Sequence, residues 1–179
     1  SGIGRDTYDV ANHLFRKVRG GLGMATVGAN AVFAAVTGTS IASASVFTKV
    51  AVPEMLRLGY RPRFSVGVVA GSSVLGMLIP PSLLLIIFGI LAQQSIGDLF
   101  IAGIVPGIVL TGAYCCLIWL MARRFPEKVG TSQALSTRHQ SMLTRIRSIQ
   151  KSVPIALLII LVLGGIYGGL FTATEAGGV

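Results

Sequence analysis

Two adjacent prolines, Pro80 and Pro81, interrupt an apolar run from Phe64 to Leu91 that would otherwise read as one membrane-spanning helix. Proline has no backbone N–H, its ring clashes with the carbonyl four residues back, and it pushes the preceding residue out of the α region. The stretch Gly71-Ser-Ser-Val-Leu-Gly-Met-Leu-Ile-Pro-Pro-Ser82 therefore predicts two half-helices. The first ends near Gly76 to Ile79; the second starts at Pro81, where a missing N–H costs nothing. Broken backbone at membrane depth survives only where protein or a wet cavity covers it. Discontinuous helices of this kind point to a transporter's binding site.

This reading requires a membrane protein, and the composition is that of one. The 179 residues are 53% hydrophobic and only 12% charged, with a mean hydropathy of +0.78. The net charge of +9 sits in short blocks between apolar runs, as cytoplasmic loops obeying the positive-inside rule do, so no nucleic acid is expected as a partner. Cys115 and Cys116 adjoin in an apolar helix, lack metal-ligand spacing and read as small buried hydrophobes. His13 and His139 lie in basic segments far from any carboxylate pair, and neither Gly-x-Ser-x-Gly nor His-Glu-x-x-His occurs. No catalytic residues are expected, and the chain does not read as an enzyme.

The chain divides as follows. Residues 1–19 predict an in-plane amphipathic helix on the cytoplasmic membrane surface, with Tyr8, Ala11, Leu14, Phe15 and Val18 on its apolar face. Residues 20–57 carry two apolar arms of about 16 residues each around a polar tip, Thr37-Gly-Thr-Ser40, which is marginal for crossing a ~30 Å core at 1.5 Å per residue. Arg16, Lys17 and Arg19 precede the first arm, and Arg57, Arg61 and Arg63 follow the second, so both ends belong in the cytoplasm. Two short complete spans would give the same parity; the short arms and polar tip favour a re-entrant hairpin. Lys49 and Glu54 require that one face of the second arm meets protein or water. Residues 58–94 hold a cytoplasmic turn and the broken transmembrane helix, after which Asp98 is placed to cap the next helix. Residues 95–122 cross back, and 123–152 form a basic cytoplasmic loop. Residues 153–171 cross again. Thr172 and Glu175 have capping-box spacing, so 172–179 read as the start of a further helix in a longer protein. Three Gly-x-x-x-Gly pairs, beginning at Gly67, Gly103 and Gly164, permit close helix packing, although glycine is common in membrane helices.

This topology brings helix ends of opposite polarity to the same depth. The first arm and first half-helix point their C-terminal carbonyls inward, near Thr37, Gly38, Gly76, Ile79 and Pro80; these are hard oxygen donors suited to Na⁺. The second arm and second half-helix begin there, and their free N–H groups suit a carboxylate. Thr39, Ser40, Ser43, Ser72, Ser73 and Ser82 add hydroxyls for the substrate, unless they bond only to their own backbone, as membrane serines often do. Hairpins and broken helices also occur in channels.

Gly20-Gly-Leu22, Gly38-Thr-Ser40, Ile79-Pro-Pro-Ser82, Ser95-Ile-Gly97 with Leu99-Phe100, Ala102-Gly-Ile-Val-Pro-Gly107 and Phe171-Thr-Ala-Thr-Glu-Ala176 occur in this order. Together they resemble the large membrane subunit, the DctM family, of the tripartite ATP-independent periplasmic (TRAP) transporters. The resemblance implies an all-α membrane protein: a re-entrant helical hairpin plus a broken transmembrane helix, one repeat of an inverted-repeat, elevator-type transporter. It implies Na⁺-coupled uptake of an organic acid, such as a C4-dicarboxylate, across the bacterial inner membrane. The implied partners are a small membrane subunit, a periplasmic substrate-binding protein and the lipid bilayer. The complete family subunit is much longer, so half of the site is expected elsewhere, and the isolated chain is not expected to transport. A related anion carrier that needs no binding protein, and a non-transporting scaffold or channel piece, are the alternatives.

Overall fold

The computed structural model describes residues 20–130, with Leu157, Gly164, Gly165 and Gly168. The expectations for residues 1–19, both histidines, most of the basic loop, the rest of the segment 153–171 and residues 172–179 lie outside the described residues. Within them the chain is helical. The helices are α1 (Gly21–Thr37), α2 (Ser40–Arg57), α3 (Pro62–Ser73), α4 (Leu75–Leu78), α5 (Leu83–Leu91), α6 (Ile96–Arg124) and α7 (Pro126–Val129).

Helices α1 and α2 form a tight hairpin. Helix α1 stops because Gly38 turns left-handed (φ 63°) and donates its N–H to Ala34 O at 2.9 Å. Thr39 is extended, and α2 starts at once. Helix α1 is built of small apolar residues and is buried almost all round, as a helix without a polar face must be. Helix α2 buries one face, Phe47, Ala51 and Met55, each 0% exposed. Phe33 of α1 meets Phe47 edge to face, with ring centroids 5.5 Å apart. Lys49 and Glu54 sit outside this seam: Lys49 is exposed, and Glu54 pairs with Arg57 at 2.7 Å.

The apolar run after the turn is interrupted twice. Helix α3 starts on Pro62, tightens at Val74 (N–H to Gly71 O, 3.3 Å) and continues as α4 to Leu78. Ile79 to Ser82 is then non-helical, with a cis Pro80–Pro81 bond. Helix α5 begins at Leu83, two residues later than the proline spacing predicts. The cause is Ser82, which is extended (φ −115°, ψ 126°) and occupies the N-cap position. A second correction concerns the outer turn: Ser95, not Asp98, caps α6, accepting the Asp98 N–H at 3.3 Å. Asp98 instead lies in the first turn, where its charge suits the helix dipole. A third concerns the thiols: Cys115 is half-buried and Cys116 is exposed, so only the first approaches the buried role expected of both.

Matched lengths bring the two interruptions together. Helix α1, helix α2 and the segment Pro62–Leu78 each rise about 25 Å. The turn between α2 and α3 sets them side by side and is itself anchored. Tyr60 stacks on Phe64 (5.8 Å) and bridges to Gly130, and Arg61 donates its N–H to Val129 O at 2.9 Å. Helix α6 packs along the break through one Gly-x-x-x-Gly pair. A Cβ on Gly103 would lie 2.9 Å from Leu78 O, and one on Gly107 2.9 Å from Ile79 Cγ1. By contrast, Gly67 and Gly164 meet nothing within 4 Å.

The stretches Pro62–Leu91, taken across its break, and Ile96–Arg124 are long and apolar enough to cross a membrane. Only 28% and 17% of their most apolar windows are buried within the chain, which is not how the core helix of a soluble domain sits.

Three substitutions in the full-length protein test this packing by thermal unfolding in detergent. Phe47→Ala empties a fully buried site and is expected to destabilise by about 3 kcal/mol. Gly103→Val forces α6 off the Leu78 carbonyl and is expected to cost about 1–3 kcal/mol, whereas Gly67→Ala, in open space, is neutral or stabilising by about 0.5–1 kcal/mol.

Candidate functional site

Four helix ends converge where the hairpin tip meets the broken helix. Leu83 N, at the start of α5, donates to Gly38 O, at the end of α1, at 3.1 Å. A Cβ on Gly76 would lie 2.7 Å from both Thr39 C and Thr39 O and 2.9 Å from Ser40 N. A Cβ on Gly38 would strike Pro81 O. The contact is backbone against backbone, and only glycine at these two positions permits it.

The prolines leave carbonyls without donors. Pro80 and Pro81 are the fourth residues after Gly76 and Met77 and have no N–H to give. Ser82 Oγ serves Met77 O at 2.6 Å. Among the described residues no N–H donates to the carbonyls of Thr37, Gly76, Ile79 or Pro80, while Gly38 O has one lone pair engaged by Leu83. At the opposite polarity, the first-turn N–H groups of Ile41 and Ala42 in α2, and of Leu84 and Leu85 in α5, have no acceptor among the described residues. The site thus sets two negative helix ends against two positive ones.

The six hydroxyls picked from sequence separate into two sets. Ser72, Ser73 and Ser82 are spent on backbone, donating to Val68 O (2.7 Å), Ala70 O (2.8 Å) and Met77 O (2.6 Å). Ser72 and Ser82 are fully buried. Thr37 likewise donates to Phe33 O at 3.1 Å. Thr39 and Ser40 are partly exposed at the tip and make no side-chain hydrogen bond among the described residues. Ser43 is fully buried with its Oγ unpartnered.

Sequence reasoning passed over Asn30. It is fully buried in α1, its Nδ2 donates to Ser72 Oγ, and its Oδ1 has no partner among the described residues. The amide thereby ties α1 to the first half of the broken helix. The available signal was one carboxamide in a membrane segment of small apolar residues, where a polar side chain calls for a partner on another helix.

The model of the tripartite ATP-independent periplasmic transporter family, DctM component, matches residues 1–179. The chain is 37% identical over 178 residues to the C4-dicarboxylate TRAP transporter large permease protein DctM of Pseudomonas aeruginosa, covering 99% of this chain and 40% of that protein. It is 35% identical to the ectoine TRAP transporter large permease protein TeaC of Halomonas elongata, covering 89% and 36%. It is 31% identical to the sialic acid TRAP transporter permease protein SiaT of Haemophilus influenzae, covering 98% and 27%. The chain therefore spans two fifths or less of these relatives. With its family model matched from end to end, the chain belongs to the DctM component family of TRAP transporter permeases, a membrane transport family and not an enzyme family.

Proposed function

We propose that the chain supplies half of the transport site of a Na⁺-coupled organic-acid permease in the bacterial inner membrane. In this reading the α1–α2 hairpin is re-entrant, its tip and the break meet near the bilayer midplane, and the other half of the site lies in sequence beyond this chain. The observation that carries it is the bond from Leu83 N to Gly38 O, which joins two helix interruptions where carbonyls and amides are both left over.

The unpartnered carbonyls fit a Na⁺ ion: oxygen donors, uncharged, fixed by proline and glycine rather than by flexible side chains. Thr37, Gly76, Ile79 and Pro80 offer such oxygens, and Gly38 offers a second lone pair. The α2 and α5 N-termini offer N–H groups to a carboxylate, with Thr39 and Ser40 the hydroxyls free to join them. Ser72, Ser73 and Ser82 hold the broken helix in shape, and Asn30 ties it to α1 through Ser72. Three of the relatives are named for a dicarboxylate, sialic acid and ectoine, each of which carries a carboxylate, and another for isethionate, whose acid group is a sulfonate. A small membrane subunit and a periplasmic binding protein complete the proposed system.

The test uses the full-length subunit with its small subunit and binding protein in proteoliposomes, following labelled organic acid under an imposed Na⁺ gradient. Uptake is expected to require Na⁺ and to vanish when K⁺ replaces it. Omission of the binding protein is expected to abolish uptake; uptake that persists favours a binding-protein-independent carrier. Gly76→Leu drives a side chain into Thr39 and is expected to lower uptake at least about tenfold with membrane insertion intact. Pro80→Ala restores an N–H for Gly76 O and is expected to weaken Na⁺ dependence while retaining part of the uptake. Normal transport by Gly76→Leu would place the site elsewhere.

A further inference from the structure

The serines and threonines of the described residues divide by element. Outside the tip and α2, every one is hydrogen-bonded. Thr26, Ser65 and Thr111 donate to the carbonyls four residues back (2.8, 3.1 and 2.8 Å), as do the break and α1 hydroxyls to nearby carbonyls, and Ser95 caps α6. Back-bonding is how a hydroxyl is satisfied where no water reaches it. At the tip and along α2, Thr39, Ser40, Ser43, Ser45 and Thr48 make no side-chain hydrogen bond among the described residues. Ser43 faces the buried seam. Ser45 and Thr48 are exposed, and Lys49 beside them is exposed with no carboxylate partner among the described residues, since Glu54 is engaged by Arg57.

The rotation of α2 is fixed by Phe47, Ala51 and Met55 on its opposite face, so this stripe is held outward. It differs from the other exposed surfaces of the chain. Leu84, Phe88 and Leu91 on α5, and Val105, Ile108 and Val109 on α6, form uniformly apolar faces suited to lipid. On α2 the exposed Ser45, Thr48 and Lys49 lie together, with Ile41 before them and Leu56 after them. Ser45 and Lys49 are one turn apart, and Lys49 lies about 15 Å along the helix from Thr39. A cation on a lipid-facing surface costs about 2.5–3.5 kcal/mol at membrane depth, a cost that water removes.

We infer that the exposed face of α2, through Ser45, Thr48 and Lys49, lines a water-filled route along which the carboxylate-bearing substrate passes between the hairpin tip and the cytoplasm, with Lys49 as its electrostatic guide. The inference rests on the re-entrant, anion-transporting reading above. The mixed face suits passage: contacts strong enough to attract an anion and too sparse to retain it. Lys49 is a positioning residue for the moving substrate and takes no part in the Na⁺ site.

The experiment uses the full-length subunit with Cys115→Ala, Cys116→Ala and any other native cysteines replaced. Ser45→Cys, Thr48→Cys and, as a lipid-face control, Val105→Cys are introduced singly. Inside-out vesicles are treated with membrane-impermeant methanethiosulfonates carrying either a sulfonate or a trimethylammonium group. Ser45→Cys and Thr48→Cys are expected to react from the cytoplasmic side, Val105→Cys is not, and the sulfonate is expected to react faster relative to each reagent's rate with a free thiol. Lys49→Gln is expected to lower that anion preference about threefold to tenfold, the scale of one elementary charge across a helical turn in a wet cleft. Ser45→Cys and Thr48→Cys as inert as Val105→Cys, or an anion preference untouched by Lys49→Gln, would overturn the inference. Na⁺-driven uptake is measured separately in proteoliposomes, so loss of coupling with labelling intact strikes the proposed function and leaves the wet face standing.

Discussion

Backbone meeting backbone at the hairpin tip governs the arrangement of the described helices. Gly38 accepts a hydrogen bond from Leu83, and Gly76 lies so close to Thr39 and Ser40 that a Cβ there has no room. Such an approach requires that the arms and the first half of the broken helix have nearly equal length, so that their ends reach one depth. It also requires glycine on both sides of the contact. Once made, it aligns two carbonyl-bearing helix ends with two amide-bearing ones, a polarity that no charged side chain among the described residues contributes.

The surrounding elements hold that contact in register. Asn30 grips Ser72 one side of it, and α6 presses Gly103 and Gly107 against Leu78 and Ile79 on the other. At the far end of the hairpin, Tyr60, Phe64, Arg61 and Val129 tie the connecting turn to α7. With α1 buried almost all round, the hairpin, the broken helix and α6 share a single seam, while α5 and the outer face of α6 leave large apolar side chains uncovered. Small residues of α1 and the glycines of α6 let backbones approach closely, and Phe33, Phe47 and Met55 fill the rest of the seam, as expected when close packing drives helix association.

The hydroxyls record local environment. Serine and threonine in an apolar helix satisfy themselves on the preceding turn, and most here do so. Among the described residues Thr39, Ser40 and the hydroxyls of α2 do not, and two of them, Ser45 and Thr48, lie beside the exposed Lys49. Among the described residues the unpartnered hydroxyls are therefore concentrated at the contact and along the second hairpin arm.

Much of this was legible in the sequence because it depends on local chemistry. Pro80 and Pro81 deny N–H groups to Gly76 and Met77 whatever surrounds them, and Gly38 can turn left-handed at low cost in any context, so both interruptions follow from residue identity. The tertiary structure decided what residue identity leaves open. Ser82 displaced the restart of the helix to Leu83, and Ser95 took the cap that Asp98 was placed to fill. Of the three glycine pairs, the one at Gly103 and Gly107 met the break. Ser72 and Ser82 became fasteners while Thr39 and Ser40 took no side-chain partner among the described residues, and Asn30, one amide in a run of small apolar residues, became the tie between two helices. Each of these depends on which partner atom lies within about 3 Å, and that distance is set by how helices far apart in sequence pack, not by the residues of any one of them.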